Sequence, residues 1–260
     1  MAICSADLTL GVFPSAFKRA TVVTLSKPGR DPRSYKGWRP ISLLSVFGKG
    51  IERMVARRMT AAALRAGLLP PEVAGAHSNS LCLGPSSVTY KLCSVLLDQG
   101  WPESTSLLAA DFCTARSFSF RWARSTFRTD SGLPQGSPWS PILFALFTLP
   151  LVRPSQGAAF AYMDDHAQHT WSRDPFQLVY HASLRVAELC EKAQGLGLRI
   201  DPRKTDALYI PLRGKGVTKT RTETSKIHVT GGGQDVVPSH SIKWLVVTLD
   251  SRLSPKAQVL

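Results

Sequence analysis

Two adjacent carboxylates, Asp164 and Asp165, stand where the apolar run Ala158-Ala159-Phe160-Ala161-Tyr162 gives way to the more polar His166-Ala167-Gln168-His169-Thr170-Trp171. The pattern predicts a β-hairpin with both acids at its tip. Such a tip suits the holding of a hard divalent ion beside a phosphate. Taken alone, an Asp-Asp pair is ordinary turn chemistry, because Asp side chains bond nearby backbone and tolerate unusual φ/ψ. The motifs around it give it another meaning.

Upstream stands Gly132-Leu133-Pro134-Gln135-Gly136-Ser137-Pro138-Trp139-Ser140-Pro141, followed by the apolar run Ile142-Leu143-Phe144-Ala145-Leu146-Phe147. Earlier still lie Ser26-Lys27-Pro28-Gly29-Arg30 and Trp38-Arg39-Pro40-Ile41-Ser42-Leu43-Leu44, and Asp111 ends the run Leu107-Leu108-Ala109-Ala110, read here as a strand. In this order the segments resemble the reverse transcriptases of non-LTR (LINE-type) retrotransposons, with a fungal Tad-like flavour, over roughly residues 13–259. The joint match is far more specific than any one motif. The resemblance implies an α+β right-hand polymerase fold with an antiparallel palm sheet. Fingers would occupy about 13–98 and palm about 99–250, with an incomplete thumb and 251–260 as the start of a further C-terminal region. It implies RNA-directed DNA polymerisation from an RNA template, a DNA primer and dNTPs, in the nucleus.

Nucleotidyl transfer uses two divalent ions about 3.5–4 Å apart, and the resemblance implies Mg²⁺, with Mn²⁺ as a substitute. It gives metal binding to Asp111 and Asp164, expected on neighbouring strands, with Asp165 as an auxiliary acid. Gln135 would contact the incoming nucleotide, and Gly136 would let backbone approach it. Lys27 and Arg39 match the basic positions that grip the triphosphate, where a guanidinium suits bidentate contact and an ammonium serves as a point charge. Lys204, in Asp201-Pro202-Arg203-Lys204, matches the lysine that protonates leaving pyrophosphate. Lys243 to Asp250 resembles a primer-grip hairpin, with Val246 where the family usually has Gly.

The chain departs from the family pattern after Asp111. Arg116 and Ser117 stand where an aromatic residue should exclude ribonucleotides, so this gate is missing or displaced to Phe118 or Phe120. Residues 112–134 are also fewer than the family spends there on a helix and a further strand, and the palm is expected to lack an element. These departures suggest a truncated, internally deleted frame and set two readings against each other: a working reverse transcriptase, or a catalytically inactive, basic nucleic-acid-binding remnant. An RNA-dependent RNA polymerase fits worse, since Tyr162-Met163-Asp164-Asp165 is not the Gly-Asp-Asp those enzymes favour.

Charge supports a polyanionic partner. The chain has 260 residues, 32 Lys+Arg against 18 Asp+Glu, a net charge of +14 and a pI near 10.0. Between Lys18 and Arg58 eleven basic residues face only Asp31 and Glu52, which leaves +9 in that segment. Such concentration favours phosphate contact over a merely solvated face. The five cysteines are scattered and odd in number, without metal-ligand spacing, and read as reduced thiols. The histidines show no ligand pattern; His166 and His169, at odd spacing on a strand, would face opposite ways. Met1 to Phe17 lacks a basic n-region, and a mitochondrial presequence is poorly supported because Lys18 is the first basic residue. The longest apolar run, Pro141 to Val152, falls short of the roughly 20 residues a bilayer needs.

The elements that must position these groups are a two-strand basic finger (13–26 and 39–44) and helices over 48–68 and 86–97. A buried helix should begin at Ser140-Pro141, with Ser140 as its cap. Another should start at Asp174-Pro175 and end near Gly195. The Gly-, Thr-, Ser- and Lys-rich stretch 211–241 reads as a hairpin or loop.

Overall fold

The computed structural model describes residues 9–29, 31–70, 73–74, 87–122, 125–130, 132–153, 157–211, 228–231, 234–245 and 247–254. Arg30, Val246, Cys4, Cys82 and His77 lie outside them. The chain forms two compact units, Met1–Leu149 with Ala161–Asp164, and Pro150–Phe160 with Asp165–Leu260. The architecture is α+β.

In the first unit, β1 (Arg19–Ser26) and β2 (Trp38–Leu44) pair antiparallel, from Ala20 opposite Leu44 to Ser26 opposite Trp38. Thr21-Val22-Val23-Thr24 supplies the β-branched residues that suit this pairing. The expected antiparallel pairing of two basic strands is therefore present, and α1 (Val46–Arg65) follows it. Ser45 caps that helix by accepting from Gly48 N at 3.4 Å, and Gly67, at φ 63°, ends it in the left-handed conformation.

Residues 112–134 hold β4 (Arg116–Phe120) and β5 (Thr126–Thr129), an antiparallel ribbon whose β4 lies parallel to β1. The resulting sheet order is β2-β1-β4-β5. Short β3 (Val73–Ala74) pairs in parallel with the end of β6 (Ala158–Tyr162). These two sheets are thus mixed, and the two helices α2 (Ser87–Asp98) and α3 (Glu103–Cys113) intervene before β4 and make its parallel pairing with β1 feasible.

The core of this unit is aromatic. Phe112 lies 5.0 Å from Phe13, edge to face, and 4.8 Å from Trp139, all three essentially buried. Burying each such ring is worth about 1.5–3 kcal/mol. Trp139 Nε1 donates to Met59 Sδ of α1 at 3.1 Å, so the indole's polar edge is also satisfied. Directly after it runs α4 (Ser140–Val152), apolar on every side and buried as its composition predicts. Pro150 lies inside this helix and cannot donate to the carbonyl of Leu146. Gln99 Nε2 takes the missing donor's place at 2.8 Å. The cap of α4 differs from expectation. Ser140 is its first residue, and Ser137 Oγ accepts from Trp139 N and Ser140 N at 3.0 and 3.3 Å, while Ser140 Oγ donates to Pro134 O.

The second unit centres on β7 (Asp165–His169) and α5 (Pro175–Gly195). Asp174 caps α5 by accepting from Phe176 N at 2.9 Å, with Pro175 at the first helical position, as the sequence predicts. Arg185 is buried on this helix. Its guanidinium donates to Thr170 Oγ1 (2.8 Å), to Ala158 O (2.7 Å) and to His169 O, tying both hairpin arms to the helix. Hairpins β8–β9 (Val229–Gly231, Gln234–Val236) and β10–β11 (Ser241–Trp244, Val247–Asp250) complete it. Among the described residues no helix is long and apolar enough to cross a membrane.

One buried group sets a pH dependence. Glu52, on the inner face of α1, is 0% exposed, and neither carboxylate oxygen has a hydrogen bond of good geometry. Burial pushes its pKa up, offset in part by the Ser137 hydroxyl and the Arg116 charge. The folded state therefore keeps a proton that the unfolded chain loses near 4.5, so this contribution to stability is lost as pH rises from there through the raised folded value. Glu52→Gln, which fixes the neutral form, should raise the melting temperature by an amount that grows with pH between 5 and 8. A gain independent of pH would show that Glu52 is charged in the fold.

Candidate metal site and nucleic-acid surface

Asp111 is not at a strand end. It lies in the last turn of α3, a correction with a visible cause. Ser106, Leu108, Ala109, Phe112 and Cys113 are buried at helical spacing, Leu and Ala favour helix, and the run lacks β-branched residues. Four apolar residues read alone as a strand; the window of eleven reads as a helix.

Both oxygens of Asp111 are occupied by protein donors. Lys18 Nζ donates to Oδ1 at 2.7 Å and Phe13 N donates to Oδ2 at 2.6 Å. The Lys18 side chain is 8% exposed and that of Asp111 32%. The pairing joins the start of β1 to the end of α3. Next to it Thr114 bonds back to Asp111 O, and Ala115, at φ 50°, turns the chain into β4.

Asp164 and Asp165 are exposed at the turn between β6 and β7, where Met163 takes φ 55°. The hairpin tip is where the sequence puts it. A two-ion cage, however, is not assembled among the described residues. A metal at Asp111 would share its oxygens with an ammonium 2.7 Å from one and an amide 2.6 Å from the other, and the ammonium charge opposes a dication on the same carboxylate. Among the described residues no group of three or more His, Cys, Asp or Glu could hold a metal ion. His166, beside the acids, is a poor proton carrier, because burial and the Arg185 charge bring its pKa down to about 4.

The matched nucleotide positions fall on three different structures. Lys27 N donates to Gly37 O at 2.7 Å, closing the loop at the open end of β1–β2, and Arg39 is exposed on β2 opposite Leu25. Gln135 O accepts from Ser42 N at 2.8 Å, and a Cβ on Gly136, at φ 112°, would sit 2.7 Å from Ser42 O. Gly136 is thus required by the packing of its own turn against β2. Lys204 is exposed in a short 3₁₀ turn of the second unit, where Asp201 accepts from Arg203 N.

Arg116 is 4% exposed, so it does not stand in an open gate position. Its Nη1 donates to Phe112 O at 2.8 Å and its guanidinium lies 4.8 Å from the Phe112 ring centroid. Phe118 and Phe120 join an aromatic cluster on the β4–β5 ribbon. The burial of Glu52, Arg116 and Arg185 is not foreseen in the sequence; each interrupts an otherwise apolar stripe or stands one turn from one, which is the only signal they offer. Lys18 reads there merely as one basic residue among eleven.

Residues 25–249 match the family described as "Reverse transcriptase (RNA-dependent DNA polymerase)". The chain is 24% identical over 298 aligned residues to "Probable RNA-directed DNA polymerase from transposon BS" of Drosophila melanogaster, an alignment covering 97% of this chain and 32% of the relative. It is 37% identical over 57 residues to "RNA-directed DNA polymerase from mobile element jockey", both from Drosophila melanogaster and from Drosophila funebris, covering 22% of this chain and 6% of each relative. The chain spans at most about a third of the length of these curated relatives.

If the Asp111 carboxylate is a structural acceptor, Asp111→Ala should lower stability by about 1.5–3 kcal/mol, as expected for hydrogen bonds to charged groups. Lys18→Met should cost a similar amount, and the double variant less than the two together. Denaturant unfolding measures all three. Stabilisation by Asp111→Ala would instead mark an acid held under strain for an absent cation.

Proposed function

This chain belongs to the reverse transcriptase (RNA-dependent DNA polymerase) family, and from that premise we propose that it is a nucleic-acid-binding member that no longer polymerises. The reading builds on its relation to the reverse transcriptases of non-LTR retrotransposons. One observation carries it: the acid that should hold catalytic metal is on a helix, with Lys18 and the Phe13 amide on its two oxygens. Phosphoryl transfer needs primer terminus, triphosphate and ions in one in-line arrangement, and about 1 Å of misplacement can cost about 10²-fold in rate. An ammonium in the place of a hard dication also supplies neither the acidity nor the coordination that transfer uses.

What persists is the electrostatic surface. Arg19, Arg33, Arg39, Arg53, Arg57 and Arg58 are all exposed on or near the β1–β2 ribbon and α1. In this reading those elements are the remaining fingers, and they contact nucleic-acid backbone rather than a triphosphate.

The purified chain should bind an RNA–DNA hybrid with an affinity that falls steeply with salt, and should extend oligo(dT) on poly(rA) with neither Mg²⁺ nor Mn²⁺. Arg33→Glu with Arg39→Glu should flatten the log–log salt slope by roughly 0.7–0.9 for each phosphate that the protein no longer neutralises. An unchanged slope would remove the ribbon from the contact surface. Primer extension that Asp164→Ala abolishes would restore the polymerase reading.

A further inference from the structure

The β4–β5 ribbon carries four aromatic rings that neither the polymerase fold nor the basic finger ribbon accounts for. Phe118 and Phe127 are a directly opposed cross-strand pair, stacked at 5.5 Å and 22°. Phe120 stacks on Trp122 at 5.3 Å and 26°, and meets Phe118 and Phe127 edge to face. The period of two along β4 puts Phe118 and Phe120 on one face, and the register puts Phe127 there as well.

Cross-strand packing explains part of this cluster, since opposed aromatic pairs stabilise two-stranded ribbons. It does not explain the outer end. Trp122 is 67% exposed and Phe127 44% exposed, on the edge strand of the sheet and the turn beside it. Each outer ring is stacked on an inner one, Trp122 on Phe120 and Phe127 on Phe118, and both outer residues remain exposed.

The charge on the ribbon selects the partner. Arg121 and Arg128 are its exposed arginines among the described residues, whereas Arg116 is buried. Exposed Arg121 adjoins Trp122 in the chain and exposed Arg128 adjoins Phe127. Arg128 sits opposite Ser117, on the face of the ribbon away from Phe127. Beside an edge strand, that arrangement lets a polyanionic backbone run along β5 while its bases turn over the edge onto the aromatic face. Rigid rings flanked by guanidinium groups are what single-stranded nucleic acid needs, because every base has a π-face and every link a phosphate.

We propose that Trp122 and Phe127, with Arg121 and Arg128, form a stacking platform for single-stranded nucleic acid on the edge of the β4–β5 ribbon. The inference rests on the nucleic-acid-binding reading above and adds a second, base-contacting surface to it. It does not depend on metal or on polymerisation.

The test uses the full chain and three labelled probes: a short oligo(dT), an oligo(rU) of the same length, and an abasic sugar-phosphate strand. Trp122→Ala should weaken oligo(dT) and oligo(rU) binding about 5- to 150-fold, the range for removal of one base stack. It should leave the abasic strand and the salt slope unchanged, and Trp122→Phe should keep most of the affinity. Phe127→Ala should act in the same direction. If wild type binds all three probes and Trp122→Ala binds them equally well, the platform is overturned while nucleic-acid binding stands. If wild type binds none at low salt, the functional reading fails and takes the platform with it. Loss of binding to anionic phospholipid vesicles in Trp122→Ala, with oligonucleotide affinity intact, would assign the rings to a membrane surface and also overturn the proposal.

Discussion

The contact on which the first unit depends is the Lys18 ammonium on the Asp111 carboxylate. It is short, its cation is largely removed from water, and the second oxygen is saturated by the Phe13 amide. The two donors bracket the entry to β1, and the acceptor closes α3. Phe112, the next residue, then meets Phe13 within the aromatic core, and three residues after Phe112 the chain turns into β4 beside β1. Polar and apolar contacts therefore secure the same junction. A cation this buried would be costly without its partner, and here the pair is placed by hydrogen bonds of good length.

The other buried charges obey the same constraint to different degrees. Arg185 is the better-satisfied case in the second unit, spending its two terminal nitrogens on two backbone carbonyls and a hydroxyl while its Nε is left without a partner. Glu52 and Arg116 are the incomplete case in the first, for the Arg116 guanidinium reaches Phe112 O and its ring but leaves one nitrogen unpartnered, and neither Glu52 oxygen has a hydrogen bond of good geometry. Attraction between them tempers the cost of burial without removing it, so the pair shifts in opposite directions, Glu52 up and Arg116 down, each chiefly through loss of water.

What was legible in the sequence follows from how local its cause is. The ends of α5 were readable because Asp174-Pro175 acts within one turn, and the burial of α4 because no face of it is polar. β1 announced itself through β-branched content and the hairpin tip through its two acids. The role of Asp111 was not legible. Its helical state shows only over eleven residues, and its ligand Lys18 lies 93 positions away. Ser137 displaced Ser140 as the cap of α4 for a similar reason, since the turn that aims its hydroxyl at the helix is set by Gly136 against Ser42, far off in sequence. Motif resemblance identified the family correctly and could not show what each matched side chain bonds to.

That distinction is the physical basis of the proposed reading, in which a polymerase signature persists without polymerisation. A carboxylate cluster for two dications is repulsive until the ions arrive, so its empty fold is strained by like charges. Replacing the dication at one acid by a lysine of the same chain removes the repulsion and lets the carboxylate stabilise the fold, but it also removes the dependence on metal that the chemistry requires. The basic surface is under no such conflict. Exposed arginines on β2 and α1 make few structural bonds, and they can keep their charge for phosphate whatever happens at Asp111. In the proposed reading, binding survives where catalysis does not, because binding asks only for charge and exposed rings, whereas transfer asks for metal at a carboxylate that Lys18 and the Phe13 amide already engage.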